Sequence, residues 1–444
     1  MTQASRITVL ASLLAVFVAP AVQGQPASGP EKCDADIRQS DAAWATSPHG
    51  VVASTLHTES DDLHRTWCRL LKATDGRDRS HKAEDFTRVL FTTDGLRPAF
   101  GVAAQNAGPG GGIAFNMSPA NAGARFGISS TVRGSTSGSW DAGAAINIVG
   151  ATARGEAGHA YGSIEVQHIA ATQRVSFVEG PAGATETHFR LDQTTARGVY
   201  HTHEFGGASV FGEGGIEGFS PGRSSNAPST DTVATDTTAP GLSNSTTYGV
   251  FGLGLNWHYP VDPHSAGYST QLSSSLRFFE GASGYSFRRA DVTWAHQYTP
   301  DTDADLGTFS WTGRLITTTA ASGSRVPFYL QPALGGNDIE HDASLRSYEY
   351  GRFRAPDMLA AQAEYTRTFW GPLALLLFVD AGASGDAMPS IGPWHHSEGV
   401  GIVVRAGGQA FARVYFAWGG GQSRGSGGAD SSSSWLDGAQ RGVY

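Results

Sequence analysis

The side chains that could do chemistry are spread along this chain without forming a catalytic or metal-binding set. His201 and His203 stand two residues apart, so on a strand they would share one face, but no further metal ligands can be identified beside them. Serine is abundant and there are 15 histidines, yet no Gly-x-Ser-x-Gly nucleophile elbow occurs. We therefore expect no enzyme, no catalytic residue, no metal site and no cofactor.

Ion pairing is a second kind of chemistry, and two short segments late in the chain carry residues suited to it. One is Leu345-Arg346-Ser347-Tyr348, and the other is Phe378-Val379-Asp380-Ala381-Gly382. An arginine can hold a carboxylate through two parallel hydrogen bonds. Phe378 and Asp380 are two residues apart, so in a strand they would point to the same face. What these segments do depends on the elements that carry them.

Those elements are predicted to be β-strands with two different faces, because apolar and polar residues alternate with period two. The clearest case is residues 248–259, where Phe251, Leu253 and Leu255 share one face and glycines share the other. Lipid would take the apolar face and the lumen of a barrel the other. We count about sixteen such runs, which predicts an all-β protein, a transmembrane antiparallel β-barrel over residues 96–444. The runs are centred near Gly101, Ala114, Gly127, Ala145, Glu165, Arg190, Gly214, Leu253, Ser273, Asp291, Trp311, Gln362, Leu377, Val403, Tyr415 and Ala439.

Composition agrees with a barrel better than with a soluble enzyme. Charged residues make up 16% of the chain, against roughly 25% in soluble domains. Glycine accounts for 58 of 444 residues, well above the usual share of about 7%. The open alternative is a glycine-rich soluble β-sandwich. A formal net charge of −9 argues against nucleic acid as a partner.

The order of the runs predicts where the connections lie. The last run, centred near Ala439 and ending at the aromatic Tyr444, is the weakest. Strands alternate in direction, so connections that follow odd-numbered strands open at one end of the barrel, which we expect to face the outside of the cell. Long connections of this kind are predicted at residues 220–245, 322–357, 383–397 and 419–434. The first is of low complexity and is expected to be mobile.

The start of the chain differs from the rest. Residues 1–24 are predicted to be a secretory signal peptide, with Arg6 before an apolar core and small residues before a cleavage point. Residues 25–95 are rich in charge and are predicted to form a small, partly helical periplasmic segment. A disulfide between Cys33 and Cys68 is expected in an exported chain. Two unpaired thiols are the alternative.

The two late segments resemble paired motifs of the outer-membrane assembly-factor family that contains BamA and TamA, the bacterial surface antigen barrels. That family carries Val-Arg-Gly-Phe or Val-Arg-Gly-Tyr at the tip of a lid loop. Arg346 and Tyr348 match this motif, whereas Leu345 stands in place of valine and Ser347 in place of glycine. Serine adopts positive φ less easily than glycine, so Ser347 would loosen the tip if that position needs positive φ.

The second family motif, on the barrel wall, is Phe or Trp-x-Asp-x-Gly. Phe378, Asp380 and Gly382 match it fully. The resemblance implies that Arg346 enters the lumen and meets Asp380. In this family POTRA modules normally precede the barrel. Residues 25–95 lack three convincing strands, so we expect that module to be missing here.

The resemblance also implies where the chain works and on what. It predicts the outer membrane of a Gram-negative cell and a role in assembling or translocating other proteins. The partners would be outer-membrane lipid and unfolded outer-membrane or secreted proteins. A passive pore and a surface-exposed structural or adhesive barrel remain as alternatives from the residues alone.

Overall fold

The computed structural model describes most of the chain from Gly95 onward. The described residues are 95–101, 103–104, 107–108, 110–117, 125–149, 160–180, 183–259, 267–281, 284–299, 307–337, 343–370, 373–388, 391–406, 409–420 and 422–429. The predicted signal peptide, the Cys33–Cys68 bridge and the segment 25–95, apart from Gly95, lie outside the described residues and stay predictions.

Sixteen strands form one sheet in which each pairs antiparallel with its neighbours in chain order. They are β1 Gly95–Gly101, β2 Gly110–Met117, β3 Arg125–Ser135, β4 Trp140–Val149, β5 Tyr161–Gly180, β6 Gly183–His201, β7 Ala208–Arg223, β8 Thr246–Tyr259, β9 Tyr268–Gly281, β10 Phe287–Tyr298, β11 Thr308–Ala320, β16 Asp357–Trp370, β17 Leu373–Gly385, β18 His395–Ala406, β19 Gln409–Gly419 and β20 Gln422–Ala429.

Smaller elements lie in two of the connections. Between β7 and β8 is a short helix, α1, Thr230–Val233. Between β11 and β16 are a 3₁₀ turn at Phe328–Leu330 and four two-residue strands. Those strands are β12 Ala333–Leu334, β13 Gly336–Asn337, β14 Ala343–Ser344 and β15 Phe353–Arg354. No helix in the described part of the chain has the length and apolar character needed to span a bilayer.

The strands form because their alternation gives the sheet one apolar and one polar face. On β8, Phe251, Leu253 and Leu255 are 50%, 66% and 37% exposed. In the ladder to β9, Leu253 faces Leu276, so the apolar side continues from strand to strand. Soluble monomers rarely expose large apolar side chains in a continuous band across several strands. Lipid is the solvent that such a face fits.

The inward face carries the charged side chains of the wall, and many of them form ion pairs between strands. Asp141, for example, is 1% exposed and accepts hydrogen bonds from Nε and Nη2 of Arg133 on the adjacent strand. Further luminal pairs between neighbouring strands are Arg197–Glu165, Arg197–Glu213 and Arg314–Asp291. Arg277 on β9 reaches over Gly252 of β8 to Glu213 on β7. A buried charge is costly unless it is paired, so these ladders let charged strands face the inside of the sheet.

The two edges of the sheet approach each other. Cα atoms of β1 and β20 come within 8 Å, while the described residues include no ladder between the two strands. The sheet therefore curls into a barrel whose seam is not hydrogen-bonded over the described residues.

The predicted strand positions can be compared with the observed ones. Fifteen of the predicted run centres, from Gly101 to Tyr415, fall inside observed strands. The long connection predicted at residues 419–434 is wrong, because β20, Gln422–Ala429, lies inside it. The sixteenth predicted run, centred near Ala439, lies outside the described residues and stays a prediction. Gly419 pairs with Gln422 in the β19–β20 ladder, so only two residues connect these strands. The connection predicted at 383–397 shortens to residues 386–394.

The long connection between β7 and β8 was expected to be mobile, but it is packed. Thr230 is fully buried and its hydroxyl donates to the carbonyl oxygen of His188 at 3.1 Å. Ala239 and Leu242 lie in one apolar cluster with inward-facing aromatic side chains of the wall. The low-complexity connection is therefore packed against the inner side of the wall.

Candidate functional site

The candidate site is built by residues 321–356, the connection between β11 and β16, here called the inward connection. It follows Ala320, the last residue of β11, and packs Phe328 and Tyr329 against the inside of the wall. The ring of Phe328 lies 4.9 Å from that of Phe189 on β6, and the ring of Tyr329 lies 5.7 Å from that of Phe219 on β7. These contacts bring the connection inside the barrel.

Glycines make the sharp reversal that follows. Gly335 and Gly336 have φ of +101° and +61°. A Cβ on Gly335 would lie 2.4 Å from the carbonyl oxygen of Glu349, and one on Gly336 would lie 2.2 Å from the ring of Tyr350. Only glycine fits both the backbone angle and this close approach. The reversal directs the tip, residues 345–348, toward the wall strands β16 to β18.

Arg346 is the centre of the tip. Its Nε donates to Oδ2 of Asp380 at 3.0 Å, and its Nη2 donates to Oδ1 at 2.6 Å. Its backbone N–H donates to Oδ2 of the same carboxylate at 3.1 Å. The two residues are 3% and 1% exposed. The structure thus places Arg346 and Asp380 together in a buried bidentate pair.

A second carboxylate completes the charge balance. Nη1 of Arg346 donates to Oε1 of Glu364 on β16 at 2.6 Å. Burial lowers the pKa of the Arg346 guanidinium, but the hydrogen bonds and charges of Asp380 and Glu364 outweigh it and leave that pKa above its ordinary value. Arg346 is therefore charged, and its charge is held in place from two adjacent strands.

Phe378 forms the floor of the arginine site. The guanidinium carbon of Arg346 lies 3.6 Å from the centre of the Phe378 ring, a cation–π contact. Tyr415 on β19 meets Phe378 edge-on at 5.5 Å. Gly399 faces Phe378 across the β17–β18 ladder, and a Cβ there would lie 2.3 Å from Cζ of the phenyl ring. This glycine makes room for the ring.

Leu345 and Ser347 flank the arginine, and their backbone conformations differ from the sequence expectation. Leu345, not Ser347, has positive φ, at 44°. Ser347 instead binds Ser397 on β18: the N–H of Ser347 donates to its Oγ at 3.0 Å, and the two hydroxyls lie 2.8 Å apart. The serine that replaces the family glycine is therefore accommodated by a polar partner rather than strained.

Tyr348 and Gly382 complete the two motifs. The Tyr348 ring meets that of Phe353 at 5.1 Å, and burial raises the pKa of its phenol. The carbonyl oxygen of Tyr348 accepts a hydrogen bond from Nη1 of Arg424 on β20 at 2.9 Å. A Cβ on Gly382 would lie 3.0 Å from Cδ1 of Leu334, so this glycine lets the inward connection lie close to the wall.

Sequence reasoning missed several of these partners. Glu364, Ser397 and Arg424 belong to strands, and nothing in their local sequence distinguishes them from other inward-facing polar residues. What marks them is their position in the sheet, because the strand register pairs Glu364 with Phe378 and Ser397 with Asp380. Only a correct strand register could have found them.

The histidines noted in the sequence do not form a site. His201 ends β6 and stacks on the ring of Tyr161 at 4.1 Å, while Glu204 lies in the following turn and pairs with His258 at 3.1 Å. His395, expected in an outer connection, begins β18 and stacks on Phe353 at 3.7 Å. No group of three metal-ligating side chains occurs in the part of the chain that the structure describes.

The fold and the inward connection define a class of protein. Sixteen antiparallel strands in chain order, an apolar outer face and a charged inner face make the chain a transmembrane β-barrel. One of its connections is packed inside the lumen.

Comparison with known proteins agrees with this class. No family model and no curated protein matches the sequence. Among solved structures, the chain is similar to BamA from Haemophilus ducreyi lacking POTRA domains 1–3, with a TM-score of 0.52 and 12% identity over 75% of this chain and 70% of that one. The sequence resemblance to the BamA/TamA family is thus confirmed at the level of the barrel fold.

Two CdiB structures are also similar. For CdiB from Acinetobacter baumannii the TM-score is 0.41 and the identity 12%, over 76% of this chain and 56% of that one. For CdiB from Escherichia coli the TM-score is 0.44 and the identity 14%, over 84% of this chain and 72% of that one.

Proposed function

We propose that this chain is a BamA/TamA-type barrel of a Gram-negative outer membrane that assembles or translocates other proteins, with the inward connection as its lid. The observation that carries the proposal is the buried ion pair between Arg346 at the tip and Asp380 on the wall. A loop that only covered the opening of the barrel would need no such anchor on the wall. The barrel fold shared with BamA supports the same assignment.

The proposed lid position follows from what the inward connection touches. Its first half packs on β6 and β7 through Phe328 and Tyr329, and its tip binds β16 and β17 through Arg346. Because the connection contacts β6 and β7 at one end and β16 and β17 at the other, it crosses the lumen. A polypeptide or solute could pass only if the tip left its wall partners.

The tip also touches the last described strand. Arg424 on β20 donates to the backbone of Tyr348, and β20 lies at the seam of the barrel. Displacement of the lid would therefore remove one of the contacts that hold β20. In the proposed role, unfolded outer-membrane or secreted proteins are the substrates, lipid surrounds the outer face, and no chemical step is catalysed.

Localisation and chain organisation belong to the same proposal. A signal peptide at residues 1–24 would export the chain, residues 25–95 would remain in the periplasm, and residues 96–444 would insert in the outer membrane. Membrane fractionation and heat-modifiable gel mobility test this. Recovery of the protein as a soluble periplasmic monomer would reject it.

The functional test combines conductance with depletion. In planar bilayers the wild-type barrel should conduct rarely, and Arg346→Ala should raise the open fraction because the tip loses its anchor. Arg133→Ala, which breaks a wall pair away from the inward connection, is the matched control and should leave conductance unchanged. Steady conductance in both wild type and Arg346→Ala would indicate a passive pore.

Depletion of the protein in cells separates the remaining functions. Loss of other outer-membrane barrels or of secreted proteins is the expected result for an assembly or translocation factor. Normal levels of these proteins, together with a closed barrel, would indicate a structural or adhesive role instead.

A further inference from the structure

Two strands of the wall, β5 and β6, run past their neighbours and form a protruding hairpin. β4 pairs with β5 only as far as Ala170, and β7 pairs with β6 only from Phe189 onward. Beyond these points the ladder joins only β5 and β6, through residues 175–180 and 183–188. A spanning strand needs about 9–11 residues, whereas β5 and β6 have 20 and 19. The protruding hairpin therefore lies beyond the membrane-spanning part of the wall.

The inward connection packs against the protruding hairpin through residues 349–354, here called the returning arm. The guanidinium carbon of Arg352 lies 4.7 Å from the centre of the Phe177 ring on β5. A Cβ on Gly351 would lie 3.3 Å from a backbone carbonyl oxygen of β5. Phe177 and Glu186 are directly opposite each other in the hairpin ladder, so their side chains share the face that the returning arm covers.

Two glutamates meet at this contact. The carboxyl of Glu186 lies within hydrogen-bonding reach of the carboxyl of Glu349, the first residue of the returning arm. An ionised carboxylate only accepts hydrogen bonds, so the two side chains can bond to each other only when one of them holds a proton. When both are ionised they repel each other. The other charged groups that face Glu186 are His188, whose Nε2 lies 3.7 Å from Oε1 of Glu186, and Arg424 of β20.

The surroundings of Glu186 favour its protonated form. Burial and the charge of Glu349 raise the pKa of Glu186 above its ordinary value, and they outweigh the opposite effect of His188 and Arg424. A carboxyl with a raised pKa stabilises its contact fully below the ordinary glutamate pKa of about 4.3, and this stabilisation is lost as the pH rises through the raised value. The contact between the returning arm and the hairpin should therefore be stronger in acid than at neutral pH.

We propose that Glu186 and Glu349 form a pH-sensitive latch between the protruding hairpin and the returning arm. In acid, the two carboxyls share one proton and the hydrogen bond between them holds the arm on the hairpin. At neutral pH that proton is lost, the two carboxylates repel each other, and the arm is held less tightly. The latch concerns this contact alone, so it stands whether or not the inward connection acts as a lid.

Glutamine at position 186 tests the latch, because its amide donates a hydrogen bond to the Glu349 carboxylate at any pH. Thermal unfolding of the purified barrel in non-ionic detergent is measured at about pH 4 and about pH 7.5, on either side of the glutamate pKa. Glu186→Gln should have a higher Tm than the wild type at neutral pH and the same Tm in acid. Glu349→Gln should behave in the same way.

The double variant shows whether the two glutamates act on each other. One neutral side chain already removes the repulsion, so the gain in Tm of Glu186→Gln/Glu349→Gln at neutral pH should not exceed the larger of the two single gains. Gains that add would mean that the two carboxyls do not interact, and would overturn the latch.

Two control variants separate the latch from other effects of charge. Glu280→Gln removes the same charge from an exposed position near the end of β9, and its gain in Tm at neutral pH should be smaller than that of Glu186→Gln. An equal gain would assign the effect to net charge and contradict the latch. In a His188→Gln background, Glu186→Gln should still raise the Tm only at neutral pH. Loss of that difference would assign the response to the histidine instead.

Hydrogen exchange followed by mass spectrometry shows where the effect lies. Wild type and Glu186→Gln are compared at the same pH, so that the intrinsic exchange rates match. At neutral pH the amides of residues 349–354 should exchange more slowly in Glu186→Gln than in the wild type, and in acid the two proteins should exchange alike. Equal exchange of these residues at neutral pH would overturn the latch, even if the Tm values differ.

Discussion

Replacing Arg346 by alanine is the most direct test of the anchored tip. The variant leaves Asp380, 1% exposed, with only the backbone N–H of position 346 from its three donors on the tip. Breaking a buried pair in this way costs about 3–5 kcal/mol, because the remaining charge stays uncompensated. An exposed pair such as Arg190–Asp192 is worth about 0–1 kcal/mol. We expect Arg346→Ala to lower the free energy of unfolding by about 3 kcal/mol or more.

The companion variant completes a double-mutant cycle. Asp380→Ala leaves Arg346 with Glu364, which is partly accessible at 19% side-chain exposure, so its cost should be somewhat smaller than that of Arg346→Ala. Once the arginine is gone, removing Asp380 eliminates an uncompensated charge rather than a pair. The double variant should therefore be less damaging than the two single losses together. The interaction energy should lie in the upper part of the range of about 0.5–3 kcal/mol seen for contacting residues.

Reversible urea unfolding of the four proteins from lipid vesicles, followed by tryptophan fluorescence, measures this cycle. The parallel cycle on Arg133 and Asp141, a buried pair within the wall, controls for the loss of any luminal charge. That control cycle should show coupling but no change in protease access to the inward connection. Arg346→Ala should increase that access. Strict additivity between Arg346 and Asp380 would refute the anchored tip.

Three further predictions concern the tip, its wall and the exported segment. Ser347→Ala should lower the free energy of unfolding by about 1 kcal/mol, since the buried Ser397 hydroxyl on β18 loses one of its two bonds to the tip and keeps the one from the backbone N–H of residue 347. Urea titration measures this, and an unchanged midpoint would argue against the contact. Gly399→Ala should destabilise the barrel and raise the open fraction in bilayers, whereas Gly313→Ala, which meets nothing within 4 Å, should be neutral; equal effects would contradict the packing argument. Cys33 and Cys68 should resist alkylation in unreduced protein, as judged by mass, and two freely labelled thiols would reject the bridge.

Most of the sheet was predictable because lipid imposes a simple rule. Every second residue of a spanning strand must be apolar, and this rule holds at β8, β18 and the first half of β17 regardless of what the lumen contains. The same alternation places Phe378 and Asp380 on the inner face. Their assignment to a wall motif came from resemblance and not from periodicity.

The contents of the lumen were less predictable, because no repeating rule governs them. Glu364 is a second partner of Arg346, yet its position beside Phe378 follows only from the exact pairing of β16 with β17. Leu345 has positive φ, whereas the resemblance had raised that conformation only as a condition at Ser347. The conformation of the tip depends on the residues that it contacts, and those residues lie on other strands.

The last strand, β20, lacks the alternation of apolar and polar residues that marks the other strands. β20 carries Gln422, Ser423, Arg424 and a run of glycine and serine, so it has little apolar side chain to offer lipid, and the sequence prediction passed over it. Its ladder to β19 and the Arg424–Tyr348 contact hold it instead. A strand that buries little apolar surface and lacks a described ladder on its far side has few bonds to break. Over the described residues the seam is therefore the part of the wall with no inter-strand ladder, and the tip of the inward connection is bound to β20 beside it.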